Sequence, residues 1–314
     1  MNRRDVLGQM TSAMGMGLAT LAGLPVWAES PKMSRLVIVG GAEDRLQDRI
    51  ILRKYVDYCG GSQARIRVIT AASGDPQGVW QSYQHVFRSL GVEDVQRLAL
   101  DDRESAHAAS LQSEILQADG IFMSGGDQTK LMDTLWDTPA YESLHRSFHL
   151  NRCCIGGTSA GAAVMSRHMI AQGPAVLRPS KGAVDTDIGL GLLSQAVVDQ
   201  HFSERRRLAR LLSTLAIRPD LLGVGIDEDT ALVIERGQAI EVIGQGTVTL
   251  VDPSQMQSNV NELDALEQIE MLGVQLHLLP AGHRYSVKSI GQTARSAPLR
   301  RAIERLVAVG PMRG

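Results

Sequence analysis

Cys153–Ser166 reads CCIGGTSAGAAVMS. An apolar run ends in two glycines, Ser159 sits between Thr158 and Ala160, and a run of small residues follows. Small neighbours let the backbone reverse sharply where a strand passes into a helix. In Gly157-Thr158-Ser159-Ala160-Gly161 such a turn would lift the serine hydroxyl out of a sheet. The first backbone N–H groups of a helix starting at Ala160 would suit an oxyanion. A plain strand-to-helix turn needs the same small residues, so this stretch alone admits either a nucleophile or a turn.

The flanking sequence repeats the alternation. "RLVIVGG" (35–41), "RIRVITAA" (65–72), "DVQRLAL" (94–100), "ADGIFMSGG" (118–126) and "RCCIGG" (152–157) read as strands. Helical spacing predicts helices over about 47–59, 78–91, 105–117 and 129–148, the last broken near Pro139. Near-continuous apolar strands alternating with helices predict an α/β fold with a parallel sheet covered on both faces. Ligands of such sheets bind beyond the carboxyl ends of the strands, where both "SGGDQ" and "GGTSAG" fall. After about residue 220 the pattern changes to short strands, with turns at Arg236-Gly237 and Gln245-Gly246 and a further strand in "VQLHLLPAG" (274–282). These are expected as antiparallel strands added to the same domain. Without internal repeats or a long linker, residues 29–314 read as a single domain. Its tail after about 292, "APLRRAIERLVAVG" included, has helical spacing and no assigned role.

The first 28 residues read as an export signal rather than fold. Arg3 and Arg4 precede a weakly apolar stretch that ends in Val26-Trp27-Ala28, a small-residue cleavage pattern. Paired arginines make the signal Tat-like and predict a periplasmic or secreted protein. Gln9 and the interspersed Gly, Ser and Thr disfavour a permanent spanning helix. A formal net charge of -2 gives no electrostatic pull towards nucleic acid or an anionic membrane. The 3 cysteines form no disulfide framework and read as small buried hydrophobes. No Cys, His or acid cluster has ligand spacing, so neither a metal nor a cofactor is expected.

A serine nucleophile needs a base. Most of the 8 histidines fall in helical patterns or beside turns. His201 instead follows the apolar run "LSQAVVDQ" and precedes a helix expected to start near Ser203, which puts it at a strand end on the crevice edge. The stretch "GVGIDEDTALVI" offers three consecutive acids, Asp227, Glu228 and Asp229, at another strand end. Such a run serves as a solvated turn or lends one carboxylate to orient an imidazole. Spacing does not say which acid.

Taken together, "GGTSAGAAVMS", "VVDQHFSERRRLARL" and "GVGIDEDTAL" resemble the cyanophycinases, serine peptidases related to dipeptidase E. "SGGDQTKL" and "LHLLPAGHRYSV" extend the resemblance over roughly residues 33–290. It implies a three-layer class I glutamine-amidotransferase-like sandwich with a mostly parallel central sheet. It further implies Ser159 as nucleophile, His201 as base and Glu228 as acid. The chain order Ser, His, acid differs from the Ser, acid, His of α/β-hydrolases. Backbone N–H groups of Asp127 and Ala160 are implied as the oxyanion hole, and Gln128, Asp199, Gln200, Arg205, Arg207 and Arg210 as the substrate pocket.

The family's substrate is cyanophycin, a poly-aspartate chain with arginine on each β-carboxyl, and its product is the β-aspartyl-arginine dipeptide. Arginine forks grip carboxylates bidentately. On this reading Arg205, Arg207 and Arg210 on one helix meet the polymer, Asp199 receives a substrate guanidinium, and Arg206 stays on a solvated face. A homodimer is compatible with the resemblance. An export signal implies polymer met outside the cell's own cytoplasm. Two other readings compete: a related serine dipeptidase acting on aspartyl or isoaspartyl peptides, and a non-enzymatic periplasmic peptide-binding protein.

Overall fold

The computed structural model describes residues 34–150, 153–264, 267–290 and 296–308. The expected export signal lies outside the described residues. Strands and helices alternate through the first half: β1 (Arg35–Val39), α1 (Ile50–Cys59), β2 (Arg65–Ile69), α2 (Pro76–Ser89), β3 (Asp94–Arg97), α3 (Ala109–Gln117), β4 (Gly120–Met123), α4 (Gln128–Leu135), α5 (Pro139–His149), β5 (Cys154–Thr158) and α6 (Ala160–Ala163). The break between α4 and α5 follows from Pro139, which has no N–H to give a continuing helix and a φ suited to a first helical position. Thr138 caps the new start, its Oγ1 accepting from the Tyr141 N–H at 3.3 Å.

β6 (His168–Gln172) and β7 (Asp185–Ile188) make an antiparallel ribbon. Then come β8 (Ala196–Gln200), α7 (Leu208–Ile217), β9 (Leu222–Ile226), β10 (Thr230–Glu235), β11 (Ala239–Gly244), β12 (Thr247–Asp252), the short pair β13 (Gln257–Ser258) and β14 (Met271–Leu272), β15 (Gln275–Pro280), β16 (His283–Ser286) and α8 (Ala297–Val307).

The central sheet has 8 strands in the order β16-β11-β10-β1-β5-β4-β2-β3. The segment β1-β5-β4-β2-β3 is parallel throughout, and β10, β11 and β16 extend it antiparallel. Alternation along β1 sends Leu36 and Ile38 to one face and Val37 and Val39 to the other. The second face is covered by α1 and α2 through Leu52, Tyr55 and Phe87. On the first face lie Ile115 of α3, Leu131 of α4, Leu144 of α5 and Ile303 of α8. The result is the mixed α/β architecture expected, with helices on both sides of a mostly parallel sheet.

Two details differ from the sequence reading. A second sheet, β15-β12-β9-β8, separates β8 from the central one, so the strand leading to His201 is not a central strand. Within it Leu222–Ile226 pairs parallel with Ala196–Gln200, although the strands after 220 were all expected to be antiparallel. The reason is α7, which crosses from β8 to β9 and returns the chain in the same direction, burying Leu211 and Leu215 against Val197 and Val251.

The tail has a structural place. Ala302, Ile303, Leu306 and Val307 of α8 are buried in the same cluster as Ile234 and Ile240 of the antiparallel hairpin. Gly237 donates its N–H to the Val307 carbonyl at 2.8 Å, and Arg305 reaches the Asp220 carbonyl at 2.5 Å. Without α8 the antiparallel end of the sheet would expose one apolar face.

Candidate active site

The site gathers where β1, β4, β5, β8 and β9 end. β1 and β5 run in register, Val39 beside Thr158, and the Ser159 N–H donates to the Val39 carbonyl at 3.1 Å. The chain then reverses: Ser159 has φ 52 and ψ −109, a conformation that a side-chain-bearing residue adopts only under constraint. Close packing explains the glycine that follows. A Cβ at Gly161 would lie 2.3 Å from the Met123 carbonyl oxygen of β4. The helix after the elbow lasts one turn, Ala160–Ala163.

Ser159 Oγ lies 2.9 Å from His201 Nε2, and His201 Nδ1 lies 2.5 Å from Glu228 Oε1. His201 is buried and has φ 47; the Glu228 side chain is 36% exposed. The imidazole is backed by glycine: a Cβ at Gly41, whose φ is +105, would lie 2.2 Å from His201 Cε1. In chemical terms this chain of contacts can take the serine proton onto Nε2 and hold the resulting imidazolium against a carboxylate.

The three consecutive acids do three different things. Asp227 accepts from the Ser203 N–H and the Thr247 N–H, each at 3.1 Å, and so ties β8's exit to β12. Glu228 meets the imidazole. Asp229, with φ 43, accepts from the Asp44 N–H at 2.8 Å.

The loop after β1 was missed by the sequence reading, which took "VIVGG" only as a strand end. Gly40 accepts the His201 N–H at 2.7 Å, and Gly41 accepts the Asp229 N–H at 2.9 Å. Two glycines followed by two acids at a strand's carboxyl end, "GGAED", were the available signal.

Other expected site residues fall differently. The Asp127 N–H donates to the Ala72 carbonyl at 2.9 Å, so it is already engaged and does not stand open as an oxyanion donor. Its carboxylate caps α4, accepting from the Thr129 and Lys130 N–H groups. Ala160 is at the first position of α6, and Gly125 borders Ser159, a Cβ there lying 3.3 Å from the serine Cβ. Gln128 donates to the Ile170 and Ala171 carbonyls at 3.2 and 2.5 Å, fastening α4 to the ribbon.

The arginines do not share one helix, because the chain stays in a turn after His201 and α7 begins only at Leu208. Arg205 is exposed in that turn, its N–H donating to the His201 carbonyl at 3.1 Å. Arg207 and Arg210 are buried and gripped internally. Arg210 forks onto Asp199 through Nε at 2.8 Å and Nη2 at 2.5 Å, and its Nη1 donates to the Gly173 carbonyl at 2.6 Å. Arg207 Nη1 donates to the Gln200 carbonyl at 2.5 Å and to the Gln200 side-chain oxygen. Asp199 has no exposed side-chain surface and both its oxygens are held, so it faces Arg210 rather than an open pocket. Burial pushes the Asp199 carboxyl above its ordinary range, against the pull of Arg210 and Arg207. Burial also lowers the Arg207 guanidinium to about 10. Arg206 is exposed, as expected of a solvated face, and borders an apolar groove of about 300 Å³ with Phe202, Leu208, Leu276 and Leu278.

Removing one partner of a buried pair leaves the other charge uncompensated, which costs about 3–5 kcal/mol. Arg210→Ala should therefore lower the urea midpoint of the folded protein by a corresponding amount, whatever it does to substrate. An unmoved midpoint would show that the Asp199 fork contributes nothing to the fold.

Comparisons with known proteins give the family. The profile of peptidase family S51 matches residues 36–242. A cyanophycinase of Geminocystis herdmanii is 40% identical over 257 residues, 82% of this chain and 94% of that protein. A cyanophycinase of Trichormus variabilis is 39% identical over 80% of this chain and 84% of its own length. In fold, the crystal structure of a peptidase from an acI-B1 Actinobacterium superposes with a TM-score of 0.57 at 24% identity, covering 81% of this chain and 97% of that one. The protein is a serine-type peptidase. The chain belongs to peptidase family S51, in which the cyanophycinases are its relatives.

Proposed function

We propose that this peptidase is exported and hydrolyses cyanophycin, multi-L-arginyl-poly-L-aspartate, to β-aspartyl-arginine dipeptides through a Ser159–His201–Glu228 triad and an acyl-enzyme. The observation that carries the reading is the continuous Ser–His–Glu contact of 2.9 and 2.5 Å, set on a strained elbow in a chain 40% identical to a cyanophycinase. His201 Nε2 takes the Ser159 proton as Oγ bonds to an aspartyl α-peptide carbonyl carbon. The carbonyl oxygen becomes an oxyanion facing the Ala160 N–H beside Gly125, which borders Ser159. As the intermediate collapses, the C–N bond breaks and His201 passes the proton to the leaving amine. Water then repeats the sequence on the ester, releasing the dipeptide acid and restoring the serine.

Exposed Arg205, one turn from His201, supports carboxylate recognition at the rim. Arg207, Arg210, Asp199 and Gln200 fit a supporting role beneath it: they rigidify the wall that carries His201. Incubating the protein with insoluble cyanophycin should release β-aspartyl-arginine as the dominant product, identified by mass. Release of free arginine, or cleavage of short aspartyl peptides without attack on the polymer, would overturn the substrate assignment.

Export rests on Arg3 and Arg4. Replacing both with lysine should leave uncleaved precursor in the cytoplasm. Mature protein outside the cytoplasm of a host that lacks the Tat route would contradict the assignment.

A further inference from the structure

We infer that Glu43 is a positioning residue for the nucleophile, a buried carboxylate strut that sets the Ser159–His201 separation. The inference rests on the triad reading above and adds a group to it. Glu43 follows the two glycines of the loop after β1, and its side chain is 1% exposed. It accepts from the Tyr83 hydroxyl at 2.5 Å and from the Thr158 hydroxyl at 2.5 Å, and Arg45 Nε lies 3.5 Å away. Arg45 in turn lies over the Tyr83 ring, 5.1 Å from its centroid. A carboxylate this deep persists only with its oxygens satisfied, and here two hydroxyls and a guanidinium do so.

The partners of Glu43 say what it does. Thr158 immediately precedes Ser159, so one end of the strut is fixed to the residue that launches the elbow. Its backbone end belongs to the loop that holds the other half of the site: Gly40 accepts the His201 N–H, Gly41 backs the ring, and Gly41 and Asp44 clasp Asp229. Serine and histidine stand on different sheets. The β1 loop touches both, and Glu43 is the side chain through which it reaches the serine side. Ser159 and His201 each hold a positive φ, so neither backbone sits in a broad minimum that would define the gap unaided.

Thr158→Val removes the hydroxyl at nearly constant shape, and Glu43→Gln removes the charge at constant shape. In the full-length chain each should lower kcat on the polymer by about tenfold to a hundredfold, the scale expected when a reacting group is misplaced by a fraction of an ångström or more, with KM within about twofold. Turnover is expressed per site titrated to completion by a fluorophosphonate, so a loss of folded protein does not register. Thr158→Ser, which restores the hydroxyl, should return kcat to within about twofold of the parent. The double variant Glu43→Gln with Thr158→Val should be little worse than its worse single, because both act on the one Glu43–Thr158 contact. Turnover per titrated site within twofold of the parent in both Glu43→Gln and Thr158→Val overturns the inference, as does an unrescued Thr158→Ser. If Ser159→Ala is inactive while these variants are normal, only the strut falls. If Ser159→Ala retains turnover, the triad reading falls first.

Discussion

Ser159→Ala should leave a folded protein whose peptide hydrolysis is lost by several orders of magnitude, as happens when other triads lose their nucleophile. The substitution deletes one hydroxyl oxygen. Its two neighbours, His201 and Glu228, keep their own 2.5 Å contact, and the elbow backbone keeps the Ser159 N–H bond to Val39. Alanine at φ 52 is no better off than serine, so the melting temperature should shift by little. Two measurements decide the matter: the rate of dipeptide release, and covalent labelling by a fluorophosphonate, which should vanish. Residual turnover within about tenfold of the parent would take Ser159 out of the mechanism.

Glu228→Gln should cost on the order of a thousandfold or more in kcat, whereas Asp229→Asn should cost less than about tenfold. Glutamine keeps the shape of Glu228 but presents no negative charge to the imidazolium formed when His201 takes the serine proton. Its amide can also donate to Nδ1 and so favour the wrong tautomer. Asparagine at 229 retains an oxygen to accept the Asp44 N–H, so the turn that carries Glu228 survives. The neighbouring Asp227→Asn should act on stability more than on rate, since Asp227 accepts backbone N–H groups from the turn after β8 and from β12. Equal losses in the Glu228 and Asp229 variants at matched stability would mean that the acid next to His201 is not the one that matters.

Much of the fold was legible because its signals are local. Five apolar runs, four of them ending in small residues, marked the parallel strands, and Pro139 marked the division of a long helix. The pairing of β9 was not legible, since its short run could equally have joined a hairpin; α7 decides it by returning the chain in the same sense. Motifs brought Ser159 and His201 into view, yet three adjacent acids look alike in a sequence, and only the hydrogen-bond partners separate Asp227, Glu228 and Asp229. The arginines misled for a physical reason. Their spacing was read on a helix that begins several residues later, and Arg210 spends its fork on Asp199 inside the protein. Glu43 was invisible because its partners, Tyr83 and Thr158, lie 40 and 115 residues away.

The serine side of the site belongs to the eight-stranded sheet, and His201 leaves the four-stranded one. On the proposed assignment Glu228 lies in the short link from β9 of the four-stranded sheet to β10 of the eight-stranded one, so the whole Ser–His–Glu chain of contacts gathers at the joint between the sheets. The Ser–His–Glu geometry therefore depends on how the two sheets are docked, not on either sheet alone. On this assignment a slight slip between the sheets would lengthen the Ser159–His201 contact and cost turnover while each sheet stayed paired.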